Sequence, residues 1–119
     1  MLKRLVFFVG IGMSLAPALA DDTSFKASDA ELNRLYKEIE GRLKDNPDSA
    51  KTLVAAQRAW IAFRDAECAF TASGVKGGSV YPTIYANCLA ELTQRRADDF
   101  KGLLKCKEGD LSCPVPSTE

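Results

Sequence analysis

Four cysteines in a chain of 119 residues that has no histidine restrict the fold more than any other feature. They are Cys68, Cys88, Cys106 and Cys113. Small zinc sites draw on closely spaced cysteine pairs, usually with histidine, and redox thiols favour Cys-x-x-Cys. Neither pattern occurs, so metal and cofactor binding are not expected. The N-terminus points to disulfides instead. Lys3 and Arg4 precede the apolar stretch LVFFVGIGMSLA, residues 5–16, and Ala18-Leu19-Ala20 follows. That order is the pattern of a secretory leader, residues 1–20, cut after Ala20. No cysteine follows the apolar stretch, so lipid attachment there is not expected. No later run approaches the roughly 18–20 apolar residues of a membrane span, so membrane insertion is not expected either. An exported chain meets an oxidising compartment, periplasmic or extracellular, where cysteines pair. Four cysteines allow three connectivities.

Charge narrows the partners. The leader removes Lys3 and Arg4, which turns 16 basic and 16 acidic side chains into 14 and 16, a net charge near −2. Nucleic-acid binding wants a basic surface, and this chain does not offer one.

Hydrophobic spacing gives an all-α chain. Residues 21–27 read as a flexible start. Ser28-Asp29-Ala30-Glu31 fits a capping box, and Leu32, Leu35, Tyr36, Ile39 and Leu43 follow at helical steps. A first helix is expected over 29–44, ended by Asp45-Asn46-Pro47-Asp48. A second is expected over 48–72, with Leu53, Ala56, Trp60, Phe63 and Phe70 as one apolar stripe. SGVKGGSV, 73–80, reads as a loop, and Pro82 suits the first turn of a third helix over 81–105. There Tyr81, Ile84, Tyr85, Cys88, Leu92 and Leu103 share a sector, with Phe100 at its edge. The tail 106–119 should be irregular. The expected architecture is a three-helix, mostly antiparallel bundle cross-linked by disulfides, with an irregular C-terminal tail. Its helical domain spans 28–105.

That architecture pairs the cysteines. A hairpin around 73–80 brings Cys68, late in the second helix, opposite Cys88, early in the third. The link closes a loop of about 20 residues, worth roughly 3 kcal/mol in the chain-entropy model. Cys106 and Cys113 then pin the tail.

The second helix also sets polar groups among its core residues. Gln57, Trp60, Arg64 and Cys68 lie within about 80° of one another on a helical wheel. A permanently charged Arg64 needs acceptors wherever it is buried. Glu67 is the nearer local partner, Asp65 points about 100° away, and the third helix offers Glu91 and Asp99 beside Arg95 and Arg96. The reading is a structural network that sets helix register, with the Arg64 stem on Trp60. No histidine base and no phosphate-binding glycine pattern occur, and the carboxylates at 65, 67, 98 and 99 read as solvated faces. No catalytic residue is assigned, and the chain is read as not being an enzyme.

These residues also carry a resemblance. Gln57, Trp60, Phe63, Arg64, Asp65 and Cys68, then Cys88, Leu92, Thr93 and Arg96, spell Gln-x-x-Trp-x-x-aromatic-Arg-Asp-x-x-Cys, a variable loop, Cys, and Leu-Thr-x-x-Arg. In this the chain resembles the LprI-like family, the lysozyme inhibitor LprI N-terminal domain. The resemblance implies a small secreted or periplasmic helical domain, a Cys68–Cys88 bridge, and binding and inhibition of lysozyme. Lysozyme works with carboxylates in a groove, which a protruding loop can plug. The candidate is Gly74, Val75, Lys76, Gly77 and Gly78, held at its base by the bridge. Exposed acids such as Asp98, Asp99 and Glu108 offer another way to meet a cationic enzyme. The alternative is a non-enzymatic envelope accessory or immunity protein that binds some other partner.

Overall fold

A computed structural model describes residue 12 and residues 17–118 of the protein, with side chains from Thr23 onward. Of the leader expected over 1–20, residues 1–11 and 13–16 lie outside the described residues, and residues 17–20 open α1. Three helices account for most of the rest: α1 over Pro17–Arg42, α2 over Pro47–Thr71 and α3 over Tyr81–Leu104. Among the described residues there is no strand.

The starts of α2 and α3 follow local chemistry. The Asn46 side chain accepts a hydrogen bond from the Ser49 amide at 3.2 Å, Pro47 opens α2 and Asp48 sits in its first turn. Those features satisfy or complement amides that the helix leaves unpaired. Pro82 occupies the first turn of α3. The first helix departs from expectation. It begins well before residue 29, so 21–27 is helical rather than a flexible start. Ser28 is therefore inside α1 and caps nothing; its hydroxyl instead donates to Gln94 Oε1 on α3 at 3.3 Å. Glu31 likewise reaches Lys101 at 2.6 Å. Tertiary partners have taken over both halves of the apparent capping box.

Contacts fix the topology. Ser28 meets Gln94, Tyr36 stacks on Phe100, and Arg42 Nη1 donates to the Leu104 carbonyl at 2.8 Å. Residue numbers rise together, so α1 and α3 run parallel. Gln57 meets Arg96, Arg64 meets Thr93, and Cys68 meets Cys88. Here numbers run oppositely, so α2 is antiparallel to α3. This is the up-down-up order of a three-helix bundle.

The core is uneven. Leu32, Leu35 and Ile39 of α1, with Leu43 just past its end, pack on Ala97 and Phe100 of α3. Phe100, expected at the edge of its face, is fully buried, as are Thr93 and Ala97. Tyr81, Ile84, Tyr85, Cys88, Leu92 and Leu103 are only half-buried. α3 touches two helices, and its deepest line is the one between them, not the centre of its most apolar sector. The tail is more than decoration. Cys106 and Cys113 are bonded, and Val115 returns to the core with 4% of its surface exposed. There it lines a cleft of about 260 Å³ with Leu43, Leu53 and Phe100.

Candidate functional site: an arginine–aromatic column and the loop beyond it

Gln57, Trp60 and Arg64 project from α2 toward α3 at steps of three and four residues, as the helical period requires. Thr93 and Arg96 meet them from α3. Arg96 Nε donates to Gln57 Oε1 at 3.1 Å, and Arg64 Nη1 donates to Thr93 Oγ1 at 3.4 Å. These are two rungs between antiparallel helices. Trp60 lies between them, with Arg64 and Arg96 at 5.3 and 5.7 Å from its ring. The stack extends both ways: Phe25 of α1 is 5.4 Å from Arg64, and Phe100 is 4.6 Å from Arg96. Phe25, Arg64, Trp60, Arg96 and Phe100 thus form one column of alternating rings and guanidiniums. Each cation–π contact is worth about 0.5–2 kcal/mol, more as water is excluded.

The two arginines are balanced differently. Arg64 Nε and Nη2 both reach Asp65 Oδ1 at 3.0 Å, and Asp29 of α1 lies 3.9 Å from Nη1. The partner expected for Arg64 was Glu67; the structure uses Asp65, because the long arginine side chain bends back past the 100° between neighbours. Glu91 pairs with Arg95. Arg96 has an amide and two rings, and makes no ion pair among the described residues. Burial pulls its guanidinium below its ordinary value, with Asp99 working against that. Burial also raises the Tyr85 hydroxyl, with Asp65 adding to the effect.

Of the motif residues, Gln57, Trp60, Arg64, Asp65, Thr93 and Arg96 come together, while Leu92 is half-buried nearer Glu67 and Cys88. Phe63 does not join them. It and Phe70 were expected in the core, yet they are 55% and 74% exposed. Both sit on the face of α2 that points away from α1 and α3, because Gln57 and Arg64 occupy the inward sector. The sequence reading missed Phe25, placed in the segment taken for flexible, and the stacking role of Phe100. Their only signal was aromatic character at the two ends of a stack that no local pattern reveals.

Among the described residues no buried side-chain nitrogen or oxygen is without a hydrogen-bond partner. No three of their cysteine, aspartate or glutamate side chains cluster to hold a metal. The arrangement joins α2 to α3 through two side-chain hydrogen bonds and a tryptophan shared by two guanidiniums.

Beyond it is the α2–α3 connection. Cys68 and Cys88 are bonded, with Cα atoms 5.5 Å apart. Ala72 is fully buried at the base, and a 3₁₀ turn follows at Ser73–Val75. Successive backbone hydrogen bonds run from Val75 to Ala72, Lys76 to Ser73, Gly78 to Val75 and Tyr81 to Gly78. The loop is therefore a chain of tight turns. Gly77 takes φ of +84°, which favours glycine. Gly74, Val75, Lys76, Gly77 and Gly78 are all exposed.

The molecule is a disulfide-stapled three-helix module with an arginine–aromatic column between two of its helices and an exposed loop of tight turns. The chain belongs to the family described as lysozyme inhibitor LprI, whose model matches residues 20–100. An uncharacterized protein of Rhizobium meliloti (strain 1021) is 35% identical over 98 residues, covering 73% of this chain and 70% of that one. No solved structure matches the chain significantly.

Proposed function

We propose that the protein is an exported inhibitor of a lysozyme-type peptidoglycan hydrolase, acting by contact and without chemistry of its own. Membership in the lysozyme inhibitor LprI family carries the reading. Two disulfides suit an extracytoplasmic location. No helix among the described residues is long and apolar enough to cross a membrane. The inhibitory element is the 73–80 loop. Its turns are formed and its base is covalently closed, so little ordering entropy is lost when it enters a groove. Lys76 is its one charge, and a lysozyme groove carries the carboxylates that attract an ammonium group. Asp98 is less available as a contact, since it already faces Gln94 and Lys101.

Cell-wall lysis by lysozymes of several classes, with the purified oxidised protein in micromolar excess, tests the function. Inhibition of at least one class is expected. Failure against all of them would sink the inhibitor reading and leave the envelope-accessory or immunity reading standing. Lys76→Glu and deletion of 75–78 test the loop: each should reduce inhibition at least roughly tenfold. Unchanged inhibition by both variants would move the contact elsewhere on the protein.

A further inference from the structure

The outer face of α2 is apolar, and nothing among the described residues covers it. Besides Phe63 and Phe70, the alanines at 55, 59, 62, 66 and 69 are all exposed. At 100° per residue these seven positions share a sector of about 120°, opposite Gln57 and Arg64. No charged residue falls in that sector from Ala55 to Phe70, a length of roughly 23 Å. Soluble monomers rarely leave a contiguous apolar patch larger than about a few hundred Å².

The edge of this face says what fits it. Lys51, Arg58 and Asp65 are exposed and recur every seven residues along one side. Arg58 makes no ion pair among the described residues, although the exposed Arg34 and Arg95 do. Asp65 uses only Oδ1 toward Arg64, which leaves Oδ2 for another donor. The opposite edge carries Ala56, Phe63 and Phe70 instead. When a helix face pairs with its own copy in antiparallel fashion, each edge meets itself in reverse. Charges then face charges, and phenylalanine faces alanine. A parallel pair would set the charged edge against the phenylalanines.

Charge also selects the register. Centred on residue 58, the pair sets Arg58 against Arg58; centred on 65, it sets Asp65 against Asp65. Centred between Trp60 and Ile61, it puts Arg58 of each copy near Asp65 of the other. Ala59 then faces Ala62, and Phe63 lies over Ala56. Small residues at the seam let two backbones approach closely. Four phenylalanines, each able to bury about 150–250 Å², supply a large part of the roughly 1,200 Å² at which specific interfaces begin.

We infer that this face binds a second copy of the chain, α2 against α2 and antiparallel, with Arg58 of each copy paired to Asp65 of the other. The inward face of α2 points away, so pairing leaves the bundle intact, and the 73–80 loops emerge at opposite ends of the seam. Sedimentation equilibrium on the oxidised protein over a wide concentration range tests this. The protein should form dimers, and Ala62→Glu should weaken them by roughly a hundredfold. Arg58→Asp and Asp65→Arg should each weaken self-association about tenfold. An equimolar mixture of those two variants should restore it as a heterodimer, which no folding defect could mimic. Circular dichroism should show all variants equally helical. A protein that stays monomeric to millimolar concentration would overturn the inference and assign the face to a different partner. So would Ala62→Glu with unchanged dimerisation, or variants that do not recover on mixing.

Discussion

The two interfaces of α3 are built on different principles. Toward α1 it presents Ala97 and Phe100 to a row of four buried aliphatic side chains, and no covalent link joins the two helices. Toward α2 the contact is thinner. Beside the partly buried Ala50 and Leu53, it rests on two polar rungs, a tryptophan between two guanidiniums, and a disulfide. Hydrophobic burial is cumulative and suffices where a helix offers a full stripe. α2 offers few inward apolar residues, since its apolar sector is largely turned outward. Its attachment therefore rests on a covalent closure and on stacked cations.

That contrast can be broken from its strongest side first. Phe100 is fully buried, touches both interfaces and ends the column. Phe100→Ala should cost about 3–5 kcal/mol, read by chemical denaturation, and should loosen both interfaces together. Removing the bridge with Cys68→Ser and Cys88→Ser should cost about 3 kcal/mol. Hydrogen exchange should then rise in α2 and the 73–80 loop while α1 and the C-terminal half of α3 stay protected. Uniform loss of protection would show that the two interfaces are one cooperative unit.

Arg64→Ala should cost about 1–3 kcal/mol, because it removes hydrogen bonds to Asp65 and Thr93 and stacking on Trp60 and Phe25. It should lower stability before it alters any partner contact. A variant of undiminished stability that had lost binding would move Arg64 from scaffold to contact surface. The smallest effect is acid sensitivity on the α1–α3 side. Hydrogen bonds from Lys101 and Gln94 hold the Glu31 carboxyl below its ordinary value of 4.5, against a weaker pull from burial. A folded pKa below the unfolded one means that the contribution is present above about pH 4.5 and is lost as pH falls through the lower, folded value. Glu31→Gln should flatten the acid limb of the stability curve. An unchanged limb would show that the pair, exposed as it is, contributes nothing measurable.

Much of this was legible in the residues. Helix number and order, the ends of α2 and α3, the Cys68–Cys88 closure and the inward placement of Gln57, Trp60 and Arg64 all follow from local signals. Apolar spacing, Asn46-Pro47, Pro82, the glycine-rich connection and the cysteine count are such signals. What was misread has a common cause. Ser28 and Glu31 fit a capping box locally, but long-range partners on α3 claimed both. Phe63 and Phe70 fit an apolar stripe, but two inward polar residues had already fixed the rotation of α2.

By itself, then, the sequence determined an oxidised, three-helix chain with a stapled hairpin, because helix periodicity, caps and loop closure act over a few residues or one turn. Only the tertiary structure decided which face of each helix is inside, that Phe25 and Phe100 complete a column through Arg64, Trp60 and Arg96, and that α2 keeps an apolar face outside. An amphipathic pattern states that a helix has two faces. Which one is buried depends on the summed packing of elements distant in sequence, and on where a permanently charged side chain can find its acceptors.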